Sequence, residues 1–436
     1  MNIYIETYGC QMNLSDSEIV KSVLSAAGYT FCNAVEEAEI VLLNTCSVRD
    51  NAERKIHERL IHLQQYCRIG RLKFVGVLGC MAERLADNLL AERNLVRLVA
   101  GPDEYRSLPK MLSEILAGKT IPSAIELSLE ETYENIVPMR DGGVSAYVSI
   151  MRGCNNFCSY CVVPYTRGRE RSASVASVFD DVRRLNDSGI KEVTLLGQNV
   201  NSYYDSEGKY RFPDLLSALA EEFPSVRFRF LTSHPKDFSE ALVKSIATHE
   251  NICNYVHLPV QSGSNRILKL MNRRYTKEEY LEKIAMLREY IPEVSLATDI
   301  IAGFPGETLA DHNETLDLMA RAEYDAAFMF RYSPREGTVS WKMNDDVPEE
   351  EKIRRLNEII AIEQVSALKK NTMQIGKVLS VMALNVSRRN AAEWKGISDT
   401  AKSVVFPISG NIAPGDMFKV KIESASSSTL RGSITE

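Results

Sequence analysis

Three cysteines, Cys154, Cys158 and Cys161, fall within eight residues as Cys-Asn-Asn-Phe-Cys-Ser-Tyr-Cys. Thiolates packed this closely into one loop select a soft metal centre. A four-iron cluster is normally held by four thiolates, and a ferredoxin-type run supplies the fourth nearby. None follows here, since the next cysteine is Cys253. Three ligands on four irons leave one iron open to a small molecule, the arrangement of a catalytic cluster rather than an electron wire. Structural zinc would need a fourth ligand, and of six histidines the nearest to Cys161 in sequence is His234.

A second set of thiols emerges only when the elements around them are read. Ile3 to Thr7, Glu39 to Thr45 and Lys73 to Gly79 have the composition of strands, with helical patterns at Ser15 to Ala27, Asp50 to Gln65 and Glu83 to Glu92. A further pair, Val96 to Ala100 and Asp103 to Ala117, extends the series. Such alternation predicts a doubly wound parallel sheet over residues 1–117. Cys10, Cys46 and Cys80 each follow a strand. In an open parallel sheet the carboxyl ends of the strands share one edge, where ligands bind. The placement predicts a second, auxiliary cluster, against the alternative of three inert buried cysteines. Cys32, Cys67 and Cys253 have no such placement and read as packing residues.

From residue 140 to 370 the alternation restarts. Ser145 to Met151, Glu192 to Leu196, Arg227 to Leu231, Tyr255 to Leu258, Ser295 to Ile301 and Ala327 to Tyr332 read as six strands separated by helices, an open partial (β/α)6 barrel. Sites in such barrels lie in the loops beyond the strand carboxyl ends, and the Cys154–Cys161 run occupies the first of them. The other loops at that face are rich in polar residues, among them Gln198, Ser233 and the Pro259–Ser264 segment.

Residues 373–436 change character: short strand-like runs at Lys377 to Met382, Ser403 to Pro407, Met417 to Glu423 and Thr429 to Gly432 predict a small C-terminal β-barrel of the OB-like kind. Arg167, Arg169 and Arg171, just past the cluster loop, are the strongest basic cluster and point to phosphate contacts with RNA. Arg273 and Arg274 form another pair. A net charge of −6 argues against indiscriminate nucleic-acid binding, without excluding a local basic patch. No apolar run has the length of a membrane span. Nine cysteines, an odd number, and no signal peptide at the start predict a cytoplasmic protein.

These motifs together resemble the radical S-adenosylmethionine (radical SAM) methylthiotransferases over essentially the whole chain. The resemblance is carried by Thr7-Tyr8-Gly9-Cys10-Gln11-Met12-Asn13, by Asn44-Thr45-Cys46-Ser47-Val48-Arg49, by Arg152-Gly153-Cys154, and by Val162-Val163-Pro164-Tyr165-Thr166-Arg167-Gly168. It implies S-adenosyl-L-methionine on the open iron, with Tyr160 beside its adenine and Gln198 and Ser233 as further cofactor contacts. It implies two 4Fe-4S clusters, the radical SAM cluster on Cys154, Cys158 and Cys161 and the sulfur-donating one on Cys10, Cys46 and Cys80. It also makes residues 373–436 a TRAM RNA-binding domain.

Leu196-Gly197-Gln198-Asn199-Val200-Asn201 and Thr232-Ser233-His234-Pro235 look most like the branch that adds a methylthio group to carbon 2 of N6-isopentenyladenosine. The partners so implied are tRNA at its anticodon stem-loop, an electron donor such as a flavodoxin or ferredoxin, and iron–sulfur assembly proteins. Sister branches act on threonylcarbamoyladenosine in tRNA or on a ribosomal-protein aspartate. A non-catalytic iron–sulfur RNA-binding protein is the alternative of a different class, and an open iron has no purpose there.

Overall fold

A computed structural model describes residues 1–47, 50–91, 95–140, 142–205, 207–408 and 410–435. Val48 and Arg49 of the second motif, and Glu92 at the end of an expected helix, lie outside the described residues.

The first sheet contains β1 (Asn2–Thr7), β2 (Thr30–Phe31), β3 (Ile40–Thr45), β4 (Phe74–Gly79) and β5 (Val96–Ala100), all parallel, in the order β2-β1-β3-β4-β5. Its helices are α1 (Gln11–Ala26), α2 (Asp50–Arg68), α3 (Cys80–Ala91) and α4 (Leu108–Leu116). Ile3, Ile40, Leu42 and Leu78 pack one face against Ile19, Val20 and Leu24 of α1 and Leu108, Leu112 and Ile115 of α4. Val41, Leu43, Val75 and Val77 pack the other against Ile56, Leu60 and Leu63 of α2 and Met81, Ala82 and Leu89 of α3. Both faces are therefore covered, which is why β3 and β4 are apolar at nearly every position and buried at all of them. The two-residue β2 is too short to show a periodicity, and the sequence gives no sign of it.

The middle of the chain holds β6 (Ser145–Ser149), β7 (Met151–Arg152), the one-turn α5 (Val163–Thr166), β8 (Arg171–Ser172), α6 (Val175–Asp187), β9 (Glu192–Leu196), α7 (Phe212–Glu222) and β10 (Arg227–Phe230). It continues through α8 (Glu240–Thr248), β11 (Tyr255–His257), α9 (Asn265–Leu270), α10 (Lys277–Tyr290), β12 (Ser295–Ala302), α11 (Leu309–Ala322), β13 (Ala326–Arg331) and α12 (Glu349–Thr372). The strands form two parallel triplets, β10-β9-β6 and β11-β12-β13, joined by a parallel bridge between Phe228 and Ile252. This is the open six-stranded arc the sequence predicts. The 24-residue α12 was not expected; its first turns are almost wholly charged and held by ion pairs such as Arg355–Glu351, so no apolar stripe announces it.

The C-terminal barrel is closed, with β14 (Val378–Val386), β15 (Glu393–Ser398), β16 (Ser403–Pro407), β17 (Met417–Ala425) and β18 (Leu430–Ile434) in the order β14-β15-β16-β18-β17. β15, the strand the sequence reading lacks, carries Trp394 inward to the barrel core. The barrel docks under the six-stranded arc, at the amino ends of its strands. Arg229 inside the arc donates to the carbonyls of Ser398 at 2.6 Å and Asp399 at 2.8 Å. Lys402 pairs with Asp325 at 2.6 Å.

Candidate active site: two thiol sets meeting at one carboxylate

Cys10 caps α1 after β1, Cys46 follows β3, and Cys80 opens α3 after β4. The register of β3 with β4 ends on Thr45 opposite Gly79, so Cys46 and Cys80 leave adjacent strands side by side. Cys10 and Cys46 lie across the β1–β3 boundary, where the strand order reverses and doubly wound sheets bind ligands. Asn13 and Asn44, both fully buried, knit the loops together: Asn13 Nδ2 donates to Asn44 Oδ1 and to the Thr45 carbonyl, each at 3.1 Å, and Asn44 Nδ2 donates to the Asn13 carbonyl at 3.0 Å. Gly9 has φ +144, and a Cβ there would stand 2.6 Å from Cys46 Cβ. Only glycine lets the two loops approach this closely. The Cys10 thiol is drawn down to about 6, first by its hydrogen bond with Cys46 and also by Arg167. Burial pushes the Cys80 thiol up, with Arg167 opposing.

The second set lies between β7 and β8, a two-residue antiparallel pair that closes the loop carrying Cys154, Cys158 and Cys161. Gly153 has φ +76, and a Cβ on it would fall 1.9 Å from the Arg169 carbonyl oxygen. Gln198 Oε1 accepts from the Gly153 N–H at 2.5 Å, Asn272 Nδ2 donates to the Phe157 carbonyl at 2.9 Å, and Ser159 Oγ donates to the Leu270 carbonyl at 2.8 Å. Lys236 Nζ donates to Asn156 Oδ1 at 2.9 Å. The loop is thus pinned from three other strand-end segments. Phe157, Thr232, Gln261 and Asn272 in these segments take positive φ without being glycine, a strain that sequence does not reveal and that gathers at functional sites. Burial pushes the Cys154 thiol up to about 11.

The two sets are joined. Asp16 on α1, fully buried, receives Arg152 Nη2 at 2.5 Å and Arg167 Nη2 at 2.7 Å. Arg152 lies two residues before Cys154, and Arg167 closes α5 after Cys161. Burial works against the Asp16 carboxylate, but the two guanidiniums outweigh it and hold the carboxyl below its usual range. From the same position Arg167 Nε donates to Cys80 Sγ at 3.2 Å. The radical-type set has a similar donor: Arg273 Nη1 reaches Cys158 Sγ at 3.4 Å, while its Nη2 and Nε bond the Pro259 carbonyl and the Tyr275 hydroxyl.

Of the three arginines expected to meet RNA, two point inward. Arg167 is bound to Asp16 and Cys80, and Arg171 to Asp103 at 2.8 Å and to the Glu131 carbonyl at 3.1 Å. Their charges are committed inside the molecule, because the loop that carries them packs against the first sheet. Arg169 alone of the three is exposed, its guanidinium 4.3 Å from the Phe157 ring centroid. Arg273 is likewise buried, and its neighbour Arg274 is exposed.

The thiols and the charges around them suit an anionic iron–sulfur cluster. Two guanidiniums share one carboxylate, which leaves a positive charge buried; Arg152 Nε and Nη1 and Arg167 Nη1 have no hydrogen-bond partner, although the Arg152 guanidinium lies 4.5 Å over the Tyr133 ring. An anionic thiolate cluster held beside Cys80 would supply the missing negative charge. At the other set Ser233 Oγ, Asn156 Nδ2 and His234 Nε2 are buried without partners, polar groups suited to a bound small molecule. His234 Nδ1 accepts from the Lys236 N–H at 3.2 Å, which leaves the proton on Nε2. Burial, then Arg273 and Lys236, hold that imidazole neutral. Tyr160 packs beside Ile267, Met271, Phe304 and Tyr332. Gln198 is engaged in holding the loop. Asn156 and Asp16 were not singled out from sequence, and His234 entered only as the nearest histidine and within the Thr232–Pro235 motif; the orphaned atoms and the converging arginines identify all three as site residues.

Residues 148–319 match the Radical SAM superfamily, and residues 2–101 match a family described as uncharacterized protein family UPF0004. The chain is similar to the tRNA-2-methylthio-N(6)-dimethylallyladenosine synthase of Phocaeicola vulgatus, 52% identical over 99% of this chain and 95% of the relative. It is also similar to the synthase of the same name from Chloroherpeton thalassium, 49% identical over 99% and 95%. Among solved structures it resembles the radical S-adenosylmethionine methyltransferase TsrM of Kitasatospora setae, with TM-score 0.56, 15% identity, and coverage of 76% of this chain and 72% of that one. The cobalamin-dependent enzyme OxsB gives TM-score 0.53 at 14% identity over 83% and 56%. These two likenesses concern the fold alone.

Proposed function

The chain belongs to the family of the tRNA-2-methylthio-N(6)-dimethylallyladenosine synthases, and on that premise we propose that it adds a methylthio group to carbon 2 of N6-isopentenyladenosine next to the anticodon of tRNA. It is a radical SAM enzyme that uses S-adenosyl-L-methionine and two 4Fe-4S clusters. The observation that carries the reading is the pair of separate thiol triplets, each with a buried guanidinium on one sulfur and both tied to Asp16.

Bound at those triplets, the clusters and S-adenosylmethionine supply one-electron chemistry able to take a hydrogen from an unactivated ring carbon, together with the sulfur to be transferred. The chain's own residues orient and enclose. Cys154, Cys158 and Cys161 would hold the cluster that binds S-adenosylmethionine, and Cys10, Cys46 and Cys80 the sulfur donor. Ser233 and the neutral His234 offer unpartnered polar atoms to the cofactor, and Tyr160 offers an apolar wall. Gln198 acts one step back, by fixing the Gly153 backbone. The C-terminal barrel packs under the amino ends of the strands, so a base enters from the strand carboxyl ends, splayed out of its stack.

Arg169 is the arginine of its cluster able to reach a phosphate, together with exposed Arg388, Arg389 and Lys395 of the barrel. A flavodoxin or ferredoxin as electron donor, iron–sulfur assembly proteins and a cytoplasmic location complete the reading. No helix among the described residues is long and apolar enough to cross a membrane.

Mass spectrometry of nucleosides from tRNA incubated with reconstituted protein tests it. The methylthiolated isopentenyl nucleoside should form. Product only on threonylcarbamoyladenosine tRNA, or none on any tRNA, overturns the substrate assignment. Cys46→Ala protein, shown to be folded, should still release 5′-deoxyadenosine but make no methylthiolated nucleoside.

A further inference from the structure

We infer that Arg167 is a positioning residue that tunes the auxiliary cluster from the neighbouring core, with Asp16 as its counterweight. The inference deepens the two-cluster reading above and rests on it. Cys10, Cys46 and Cys80 all belong to the first sheet's unit, yet a cation bonded to one of their sulfurs comes from another part of the chain, the radical-type loop. Arg167 Nε donates to Cys80 Sγ at 3.2 Å. The residue is 3% exposed, so water does little to screen its charge.

The reduction potential of an iron–sulfur centre rises with positive charge and with hydrogen bonds to its sulfurs. Arg167 provides both. Asp16 has the opposite sign and holds Arg167 Nη2 at 2.7 Å, and so both aims the guanidinium and partly offsets it. Because Asp16 also holds Arg152, two residues from Cys154, the guanidinium that tunes the sulfur donor is fixed to the base of the radical-type loop. The auxiliary centre is therefore set in part by Arg167, a residue from outside the first sheet and its helices, while its counterweight Asp16 comes from α1.

A purely structural salt bridge makes a different prediction. Loosening the site through either residue would then move the potential the same way, or not at all. Electrostatic tuning requires opposite signs. The test uses full-length chain with Cys154, Cys158 and Cys161 all changed to Ala, so that only the auxiliary cluster is loaded. Its potential is read by electron paramagnetic resonance during redox titration, with iron counted alongside. Arg167→Gln should lower the potential, Arg167→Lys should restore part of it, and Asp16→Asn should raise it.

Unchanged potentials, or shifts of the same sign in Arg167→Gln and Asp16→Asn, overturn the inference. If Arg167→Gln holds no iron, Asp16→Asn decides: a rise supports tuning, and a fall or no change overturns it. A parent chain that binds no iron sinks the two-cluster reading and this inference with it. A parent that binds iron but ignores the arginine sinks the inference alone.

Discussion

Arg167 and Cys80, 87 residues apart in sequence, meet at 3.2 Å between Nε and Sγ. The contact ties the edge of one parallel sheet to the first loop of another. Asp16 repeats the connection through Arg152, so the two thiol sets are held by one buried network rather than by chain connectivity. Removing one partner of such a network is costly, because it leaves a charge buried and unpaired.

The radical-type loop depends on the missing side chain at Gly153. With φ +76 and the Arg169 carbonyl 1.9 Å from where a Cβ would lie, alanine cannot be accommodated without displacing the loop backbone. Gly153→Ala protein should load about half the iron of wild type, on the logic of one cluster per triplet, and should lose 5′-deoxyadenosine formation. Full iron content by chemical assay would show that the loop tolerates the change.

Arg169 and Arg171 should separate RNA binding from stability. Arg169→Ala should weaken tRNA binding and flatten its salt dependence by about one counterion, with Tm near wild type. Arg171→Ala leaves Asp103 buried and unpaired, and should cost about 3–5 kcal/mol in denaturant unfolding. Burial raises the Asp103 carboxyl even with Arg171 beside it, so the pair is not a strong stabiliser, and replacing both partners should cost far less than replacing one. Filter-binding titrations at several salt concentrations and urea melts check the two halves.

Glu83 gives a pH dependence. Burial first, then Asp103 and Glu104, raise its carboxyl to about 8, and Oε2 has no partner. An acid whose folded value lies above its unfolded one keeps its proton longer when folded. Its contribution to stability is complete below about pH 4.5 and is lost as pH rises through 8. Glu83→Gln, which mimics the neutral acid, should match wild type near pH 5 and melt higher than wild type above pH 8. A thermal-melt series from pH 5 to 9 reads this directly, and parallel curves for the two proteins would refute it.

Removing residues 373–436 should damage more than RNA binding. Arg229 would lose the Ser398 and Asp399 carbonyls, and Asp325 would lose Lys402, all at the buried foot of the arc. The truncated chain should melt well below wild type and expose that end of the arc to solvent. Calorimetry that finds an unchanged transition would mean the barrel is only tethered.

The sequence by itself determined the chemistry-bearing residues and the strand–helix rhythm. Cysteine spacing fixes how many thiols one loop can offer a cluster. The alternation of apolar runs fixes parallel sheets, and so places Cys10, Cys46 and Cys80 at one edge. Both signals are local, within a few residues or one repeated unit. The short β2, the charge-rich α12 and the inner strand β15 carry little such signal and were missed.

Tertiary structure alone decided where the charges point. Arg167, Arg169 and Arg171 look alike in sequence, yet two are buried partners of Asp16 and Asp103 and one faces water. The difference comes from packing against α1 and the end of β5, partners between 68 and 151 residues away. A charge pays no desolvation penalty until something covers it, and what covers it is set by the fold, not by its neighbours in the chain.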